Sequence, residues 1–425
     1  MERAKLIVKN FGPLKDIEIE VRGMVTFIGA QASGKSTLAK LLSIFEDENF
    51  RREENINFEE ELKKYNILSY LNPKSEIIYQ RMYFPLIYIF QYKNSKSTKL
   101  DYREKLKSDF NEFAKSKKDG EINAKDSFKS FMKILQADDL FFFEKRNNEF
   151  LKIKKELNEY LNDDLLHKSK NVKVIDLLNF YEKLLAKYDV FVLFDSLYIP
   201  TERSFLHLIA ENTLGLINNN VQIPKHLLNS GQDYEKALQT IKELPLNIID
   251  KKIKYKREGK TSFIYHNENE KVDLLESASG LQSVIPVLLL VEYAKSLKDE
   301  YNFNFVVEEP ELNLYPKAQH ELIKYLIANC LFDRKNLILT THSPFVLASL
   351  NNLLLAFDKG QSKPKEVSKI IKKESWLNPK NFIAYQLKNG KAYKIMDDKL
   401  GQIKENMIDK ISDEFSNEFD KLLDL

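Results

Sequence analysis

Four short stretches carry side chains whose types and spacing suit chemistry on a polyphosphate. The first is Gly29-Ala30-Gln31-Ala32-Ser33-Gly34-Lys35-Ser36, in which two glycines five positions apart are followed by a lysine and a hydroxyl. Such a backbone can wrap closely around phosphate, while the lysine reaches the β- and γ-phosphates and the hydroxyl ligates Mg2+. The second is Glu308-Glu309, where one carboxylate can hold hydrated Mg2+ and its neighbour can orient an attacking water. The third is His342, 33 positions after Glu309, whose ring N–H can donate to a γ-phosphate. The fourth is Ser277-Ala278-Ser279-Gly280, small residues ahead of an apolar run, as suits a helix start that binds an anion. Each has a plainer reading alone: a Gly-rich turn, an acidic turn, a locally satisfied histidine, an N-cap. Their order along one chain argues against all four being plain at once.

Local patterns place these residues at the ends of elements. Met24 to Ile28 predicts a buried strand, and Leu38, Leu41, Leu42 and Phe45 share one helical face. The first stretch therefore sits where a strand turns into a helix. The fourth precedes an apolar helix that starts near Gln282. Residues 303–310 and 336–344 predict two apolar strands ending in polar residues, as strands lining a crevice in an open α/β sheet do. SEIIYQ and FPLIYIFQYK also read as strands.

Between about 100 and 190 the chain lacks helix breakers: Gly120 is the only glycine from Gly34 to Gly215, and no proline separates Pro85 from Pro200. That block predicts a mostly helical, compact lobe, after which VFVLFDSLYIP resumes the core. Further on, Ile253 and Tyr255 alternate with Lys252, Lys254 and Lys256, which predicts a hairpin turning at Glu258-Gly259.

Composition narrows the setting. A 43% hydrophobic chain of 425 residues can bury a large core, and a net charge of +3 gives no global basic field, so any nucleic-acid contact must be a local patch. Cys330 is the sole cysteine, which excludes an intrachain disulfide. MERAKLIVKNFG lacks the apolar centre of a signal peptide, and no run of about 18 apolar residues occurs. A cytoplasmic protein with no membrane contact is expected. Trp376, Cys330 and Phe141 to Phe143 read as packing groups, and the remaining histidines form no metal-ligand spacing.

Taken in chain order, the stretches resemble an ABC-type ATPase of the RecF/SMC/OLD kind: Walker A at Gly29–Ser36, signature at Ser279-Gly280-Leu281-Gln282, Walker B at Phe305–Glu309, D-loop at Pro310–Asn313 and switch histidine His342. The opening LIVKNFGPLKDIEIEV is similar to that group's first strand and turn. The resemblance implies an α/β P-loop NTPase with an ABC-type (SMC/RecF-like) head, interrupted by a mostly helical insertion. The core would span 1–45 and 190–350, the insertion 46–189 and a C-terminal extension 351–425.

It further implies ATP and Mg2+ as ligands. Gly29, Gln31, Ser33, Gly34, Lys35, Ser36 and Thr37 would bind the nucleotide, with Asn10 near the base and Ser279, Gly280 and Gln282 closing from another head. Ser36 and Glu308 would hold the metal, and Glu309 and His342 would be catalytic. Three departures stand out: Leu281 replaces a second glycine, Glu308 replaces the usual Asp, and YIPTERSF stands where relatives present a Mg2+-contacting glutamine. Thr201, Glu202 and Arg203 remain open for that last role.

These departures, with Glu-Glu-Pro-Glu and Ser-Gly-x-Gln, resemble the branch of AAA family ATPases found in bacterial anti-phage systems of the OLD, Septu and PARIS types. The implied function is an ATPase that forms a homodimer or higher homo-oligomer and regulates a separate effector protein, a nuclease, since no nuclease-like metal spacing follows His342. The acidic, amphipathic segment from Met407 could dock that effector, although packing on its own core is the default expectation. The alternative is a RecF/SMC-like DNA-binding ATPase of repair or chromosome maintenance, supported by the basic hairpin KKIKYKREGK.

Overall fold

A computed structural model describes residues 4–52, 56–83, 86–101, 121–123, 171–173, 195–219, 221, 223–297, 303–331 and 335–424. The chain divides into two compact units, one of residues 1–77, 92–97 and 193–425, the other of 78–91 and 98–192.

The first unit is built on a six-stranded sheet. Its spatial order is Lys391–Lys394, Phe382–Lys388, Met24–Gly29, Lys335–Thr341, Phe303–Glu308 and Asp195–Ile199. All but the first strand run parallel. Met24–Gly29 and Phe303–Glu308 are buried at every position, the pattern of a parallel sheet covered on both faces. Thr341 pairs with Ile28, and Glu308 with Thr340, so the carboxyl ends of these strands share one edge. From that edge rises the helix Lys35–Glu46, with Leu38, Leu41, Leu42 and Phe45 fully buried, the face expected from their spacing.

Residues 351–425 contribute directly to this core. Phe382–Lys388 pairs along the whole Walker A strand, Phe382 with Met24 and Leu387 with Gly29. The α/β fold with a strand–turn–helix at Gly29–Lys35 is thus the one observed, and part of its sheet comes from beyond residue 350.

An antiparallel hairpin and a four-stranded antiparallel sheet also belong to this unit. Ala4–Phe11 pairs with Leu14–Val21, and the Tyr385 hydroxyl joins this hairpin to the core sheet by accepting from Glu20 N at 2.9 Å and donating to Glu20 O at 3.1 Å. The other sheet contains the expected hairpin, Lys254–Glu258 with Thr261–Tyr265, turning at Gly259 with φ of +60°. Glu243–Pro245 and Lys271–Asp273 complete it. Tyr255 is buried and its flanking lysines are outward, but those lysines are paired: Lys254 with Glu243 at 2.8 Å, Lys256 with Glu258 at 3.4 Å.

The helix Met407–Leu423 departs from its default expectation. Asn406 and Asp409 form a capping box that starts it, yet its apolar face is not packed: Phe415 and Phe419 are 66% and 61% exposed, and Ile411 and Leu422 are exposed beside them.

The strands expected over SEIIYQ and FPLIYIFQYK are found at Glu76–Tyr83 and Leu86–Lys93. Within the second unit Glu121–Asn123 pairs antiparallel with Asn171–Lys173. The mostly helical lobe expected around it lies outside the described residues. No helix among the described residues is long and apolar enough to cross a membrane. Cys330 is fully buried and Trp376 nearly so, both as packing groups.

Because two hydrogen bonds at one phenol join the hairpin to the core sheet, Tyr385→Phe is expected to cost roughly 1–3 kcal/mol of stability, measured by denaturant unfolding of the full chain.

Candidate nucleotide site

The turn from the Met24–Gly29 strand into the helix has the backbone that its glycines predict. Gly34 lies at φ +99°, a region favouring glycine, and a Cβ there would run into the side chain of Leu14. The Leu14 turn of the first hairpin is therefore packed against the loop, and Asn10 lies four residues before it at φ +52°. Asn10 is knitted to another turn: its carbonyl accepts from Asn72 Nδ2 and Ser75 Oγ, and its own Nδ2 donates to Lys74 O.

No side chain caps the helix start at Lys35. Its first N–H groups are the donors that a phosphate would accept from. Lys35 is almost completely buried, its Nζ donating to Gly29 O and Ala30 O at 3.0 Å each. Burial pulls its pKa below the ordinary lysine range, while Glu309, Glu311 and Glu308 hold the ammonium charged. Thr37 is buried behind it, Ser33 has a buried hydroxyl without a hydrogen-bond partner, and Gln31 is exposed.

The carboxylates come from the end of the Phe303–Glu308 strand. Glu308 is buried, and its Oε1 has no hydrogen-bond partner. Burial pushes its carboxyl above the usual range, against the pull of Lys40, Tyr198 and Ser36. Glu309 follows at φ +43°, a backbone state costing roughly 1–3 kcal/mol for a residue with a side chain. It is held there from both sides: its N–H donates to Thr340 O at 3.0 Å, and its carbonyl accepts from Arg203 Nη2 at 2.7 Å. The reversal lets two adjacent acids leave the strand end in different directions. Glu309 Oε1 lies 3.1 Å from His342 Nε2. Walker A, both acids and the histidine thus meet at one sheet edge.

Glu311, inside the Pro310–Asn313 stretch, has a role that the sequence did not assign. Its Oε1 accepts from Thr341 Oγ1 at 2.7 Å and from His342 N at 2.8 Å, fixing the backbone that carries the histidine. The third acid of EEPE was its only sequence signal. The three residues left open after Pro200 separate clearly. Thr201 Oγ1 donates to Glu202 at 2.9 Å on an exposed turn, whereas Arg203 is fully buried and bonded to backbone carbonyls.

The signature stretch is placed differently from the rest. Its helix spans Ser279–Ser296, starting three residues earlier than expected, with Ala278 before it and no side-chain cap. Ser279 is exposed. Gly280 is required by close approach, since a Cβ would lie 2.7 Å from Asn313 O of the D-loop segment. Gln282 turns back on its own loop, its Nε2 donating to Leu275 O and Ser277 O.

Such a site on an α/β sheet defines a P-loop nucleoside triphosphatase with paired acids and a partnered histidine. The chain belongs to the AAA ATPase domain family, whose model matches residues 1–347, and it is an ATPase. Among solved structures it is similar to the SMC head domain of Pyrococcus furiosus, at 10% identity and TM-score 0.38, covering 93% of this chain and 96% of that one. The SMC head domain of Thermotoga maritima gives 10% identity and TM-score 0.37, over 93% and 98%. The recombination mediator RecF of the RecFOR pathway gives 14% and 0.33, over 93% and 99%. No curated protein sequence matches.

Burial raises the pKa of Glu308, so the folded state keeps its full stability below the ordinary carboxylate pKa and loses some as pH rises through the raised value. Glu308→Gln is therefore expected to raise the Tm of the nucleotide-free protein at neutral pH by a few degrees, with the gap to wild type closing in acid. Thermal melts across pH check this.

Proposed function

We propose that this ATPase acts as an ABC-type head that closes on a second copy over two ATP molecules and thereby controls a separate effector protein. The observation that carries the catalytic part is the meeting of the buried Lys35 loop, the Glu308 carboxyl and the Glu309–His342 pair at one sheet edge. In this reading the backbone from Gly29 to Gly34, with Gln31, Ser33, Lys35 and Thr37, holds the phosphates, and Asn10 lies near the base. Mg2+ suits Ser36 and Glu308: both present hard oxygen donors, and a buried carboxylate oxygen without a hydrogen-bond partner fits a ligand atom. When bound there, Mg2+ would supply charge neutralisation for the phosphates. Glu309 orients the attacking water, and His342 fixes that carboxylate and donates to the γ-phosphate.

Support for the second head comes from Ser279. It is exposed at a helix start that no side chain caps, a group of donors suited to the open side of another copy's triphosphate.

For the use made of ATP, two surfaces favour a protein partner over DNA. Lys254 and Lys256 of the basic hairpin are engaged with Glu243 and Glu258, which lowers their net attraction for a phosphate backbone. The exposed face of Met407–Leu423 is apolar with acidic flanks, composition suited to a protein surface and repelled by nucleic acid. Together with the resemblance of EEPE and SGLQ to bacterial anti-phage ATPases, this supports a sensor that regulates an effector nuclease in defence. The DNA-binding alternative predicts ATPase activity stimulated by DNA and falling steeply with salt; hydrolysis indifferent to DNA counts against it.

Lys35→Ala is expected to abolish ATP binding, read with a fluorescent nucleotide. Glu309→Gln should keep ATP and the dimer while turnover falls roughly 10²–10⁴-fold, the usual contribution of a general base. Ser279→Arg should leave nucleotide affinity intact and prevent ATP-driven dimerisation, followed by light scattering. Normal dimerisation of that variant would remove the signature from the interface.

A further inference from the structure

Arg203 is fully buried, yet its guanidinium pairs directly with no carboxylate among the described residues. Its donors go to backbone carbonyls of three segments: Nη1 to Pro200 O at 3.2 Å and Glu308 O at 2.8 Å, Nη2 to Glu309 O at 2.7 Å, and Nε to Ser283 O at 2.9 Å. The group stays charged at neutral pH, burial lowering its pKa only to about 10. One planar fork therefore ties the turn carrying both acids to the second turn of the signature helix.

The helix offers an adjacent handle for a stated reason. Pro286 lies inside it and has no N–H, so Gln282 O, four residues earlier, lacks a helical donor. His207, four residues after Arg203, supplies one: its Nε2 lies 3.1 Å from Gln282 O, and its Nδ1 accepts from the Tyr234 hydroxyl at 2.8 Å. That pairing requires a neutral ring with its proton on Nε2, and burial pulls the imidazole pKa down to about 4. Arg203 and His207 thus grip consecutive carbonyls of the helix. A third link runs from Asn313 Nδ2 to Ser283 Oγ at 3.0 Å, beside the close approach of Gly280 to Asn313 O.

We propose that Arg203 is a positioning residue that locks the signature helix to the Glu308–Glu309 turn of its own head. Docking of Ser279 on a second copy's triphosphate then sets the water-orienting carboxylate at the first copy's site. The two ATP sites become coupled through each head's interior. This rests on the two-headed reading above.

The test uses the full chain and its ATP saturation curve. Wild type should dimerise with ATP and hydrolyse it with a Hill coefficient approaching about 2, the number of sites. Arg203→Lys keeps a cation but cannot span three segments. Its Hill coefficient should fall to about 1 and its kcat roughly tenfold, with the affinity for a fluorescent non-hydrolysable ATP analogue unchanged. A residue of merely structural importance would lower Tm and leave the Hill coefficient alone. A folded Arg203→Lys with wild-type cooperativity and kcat overturns the coupling. If that variant does not fold, Arg203→Gln decides: its shorter amide cannot join the Glu308–Glu309 turn to Ser283 O, so its Hill coefficient should fall to about 1, and an unaltered value overturns the proposal. Wild type that hydrolyses ATP as a monomer overturns the two-headed reading itself, an outcome distinct from a cooperative dimer indifferent to Arg203.

Discussion

Parallel register among three strands, Met24–Gly29, Lys335–Thr341 and Phe303–Glu308, decides where every polar group of the site lies. All three run the same way, so their carboxyl ends emerge on one edge, and the chain can place a loop, two acids and a histidine there from segments hundreds of residues apart. The register is specified by burial. Shifting Phe303–Glu308 by one residue would turn Glu308 away from Ser36 and bring Asn304 and its neighbours onto opposite faces. Apolar side chains on both faces of the sheet make such a slip costly, so the position of the carboxyl follows from the packing of Phe305, Val306 and Val307.

That edge gathers charges which water would otherwise stabilise. Lys35, Glu308 and Arg203 are all buried, and burial moves the pKa of each toward its neutral form. An isolated buried charge is expensive; here Glu308 acts on both cations, and the cations also spend their donors on carbonyls. Lys35 bonds the loop, Arg203 bonds the turn, and the left-handed backbone at Glu309 is held between Thr340 and Arg203. The arrangement trades stability for a fixed geometry of acceptors around the place of reaction.

Much of this was legible because it rests on local pattern. Strands buried on both faces leave unbroken apolar runs, and the glycines at 29 and 34 mark a turn that other residues cannot enter. The roles of Arg203 and Glu311 were not legible, since both act on backbone far away in sequence and leave no spacing to read. Phe382–Lys388 was placed in an extension for a similar reason: it carries no motif, only the hydrogen bonds that complete the sheet. Periodicity also reveals a face without its partner. The Met407–Leu423 helix has the expected apolar stripe, but the stripe is exposed; the hairpin has the expected lysines, but Glu243 on the neighbouring strand answers Lys254 and Glu258 on the same strand answers Lys256.

The helix starts at Lys35 and Ser279, like those at Lys225, Pro316 and Pro364, lack a side-chain cap, and unsatisfied N–H groups at a helix start need water, a side chain or a ligand. Those at Lys35 and Ser279 differ in setting. The first lies beside a buried ammonium and faces the acids of its own sheet edge; the second is exposed and backed by Asn313, which follows those acids by only a few residues. A single head thus carries one donor group turned inward and another turned outward, mechanically joined through the same turn. On the proposed reading a triphosphate held by the inward group still has an open side, and the outward group of another copy has donors suited to cover it. On that same reading, the bonds of Arg203 and Asn313 would join the Ser279–Ser296 helix to the Glu308–Glu309 turn, so that covering a second copy's triphosphate would also bear on the first copy's acids.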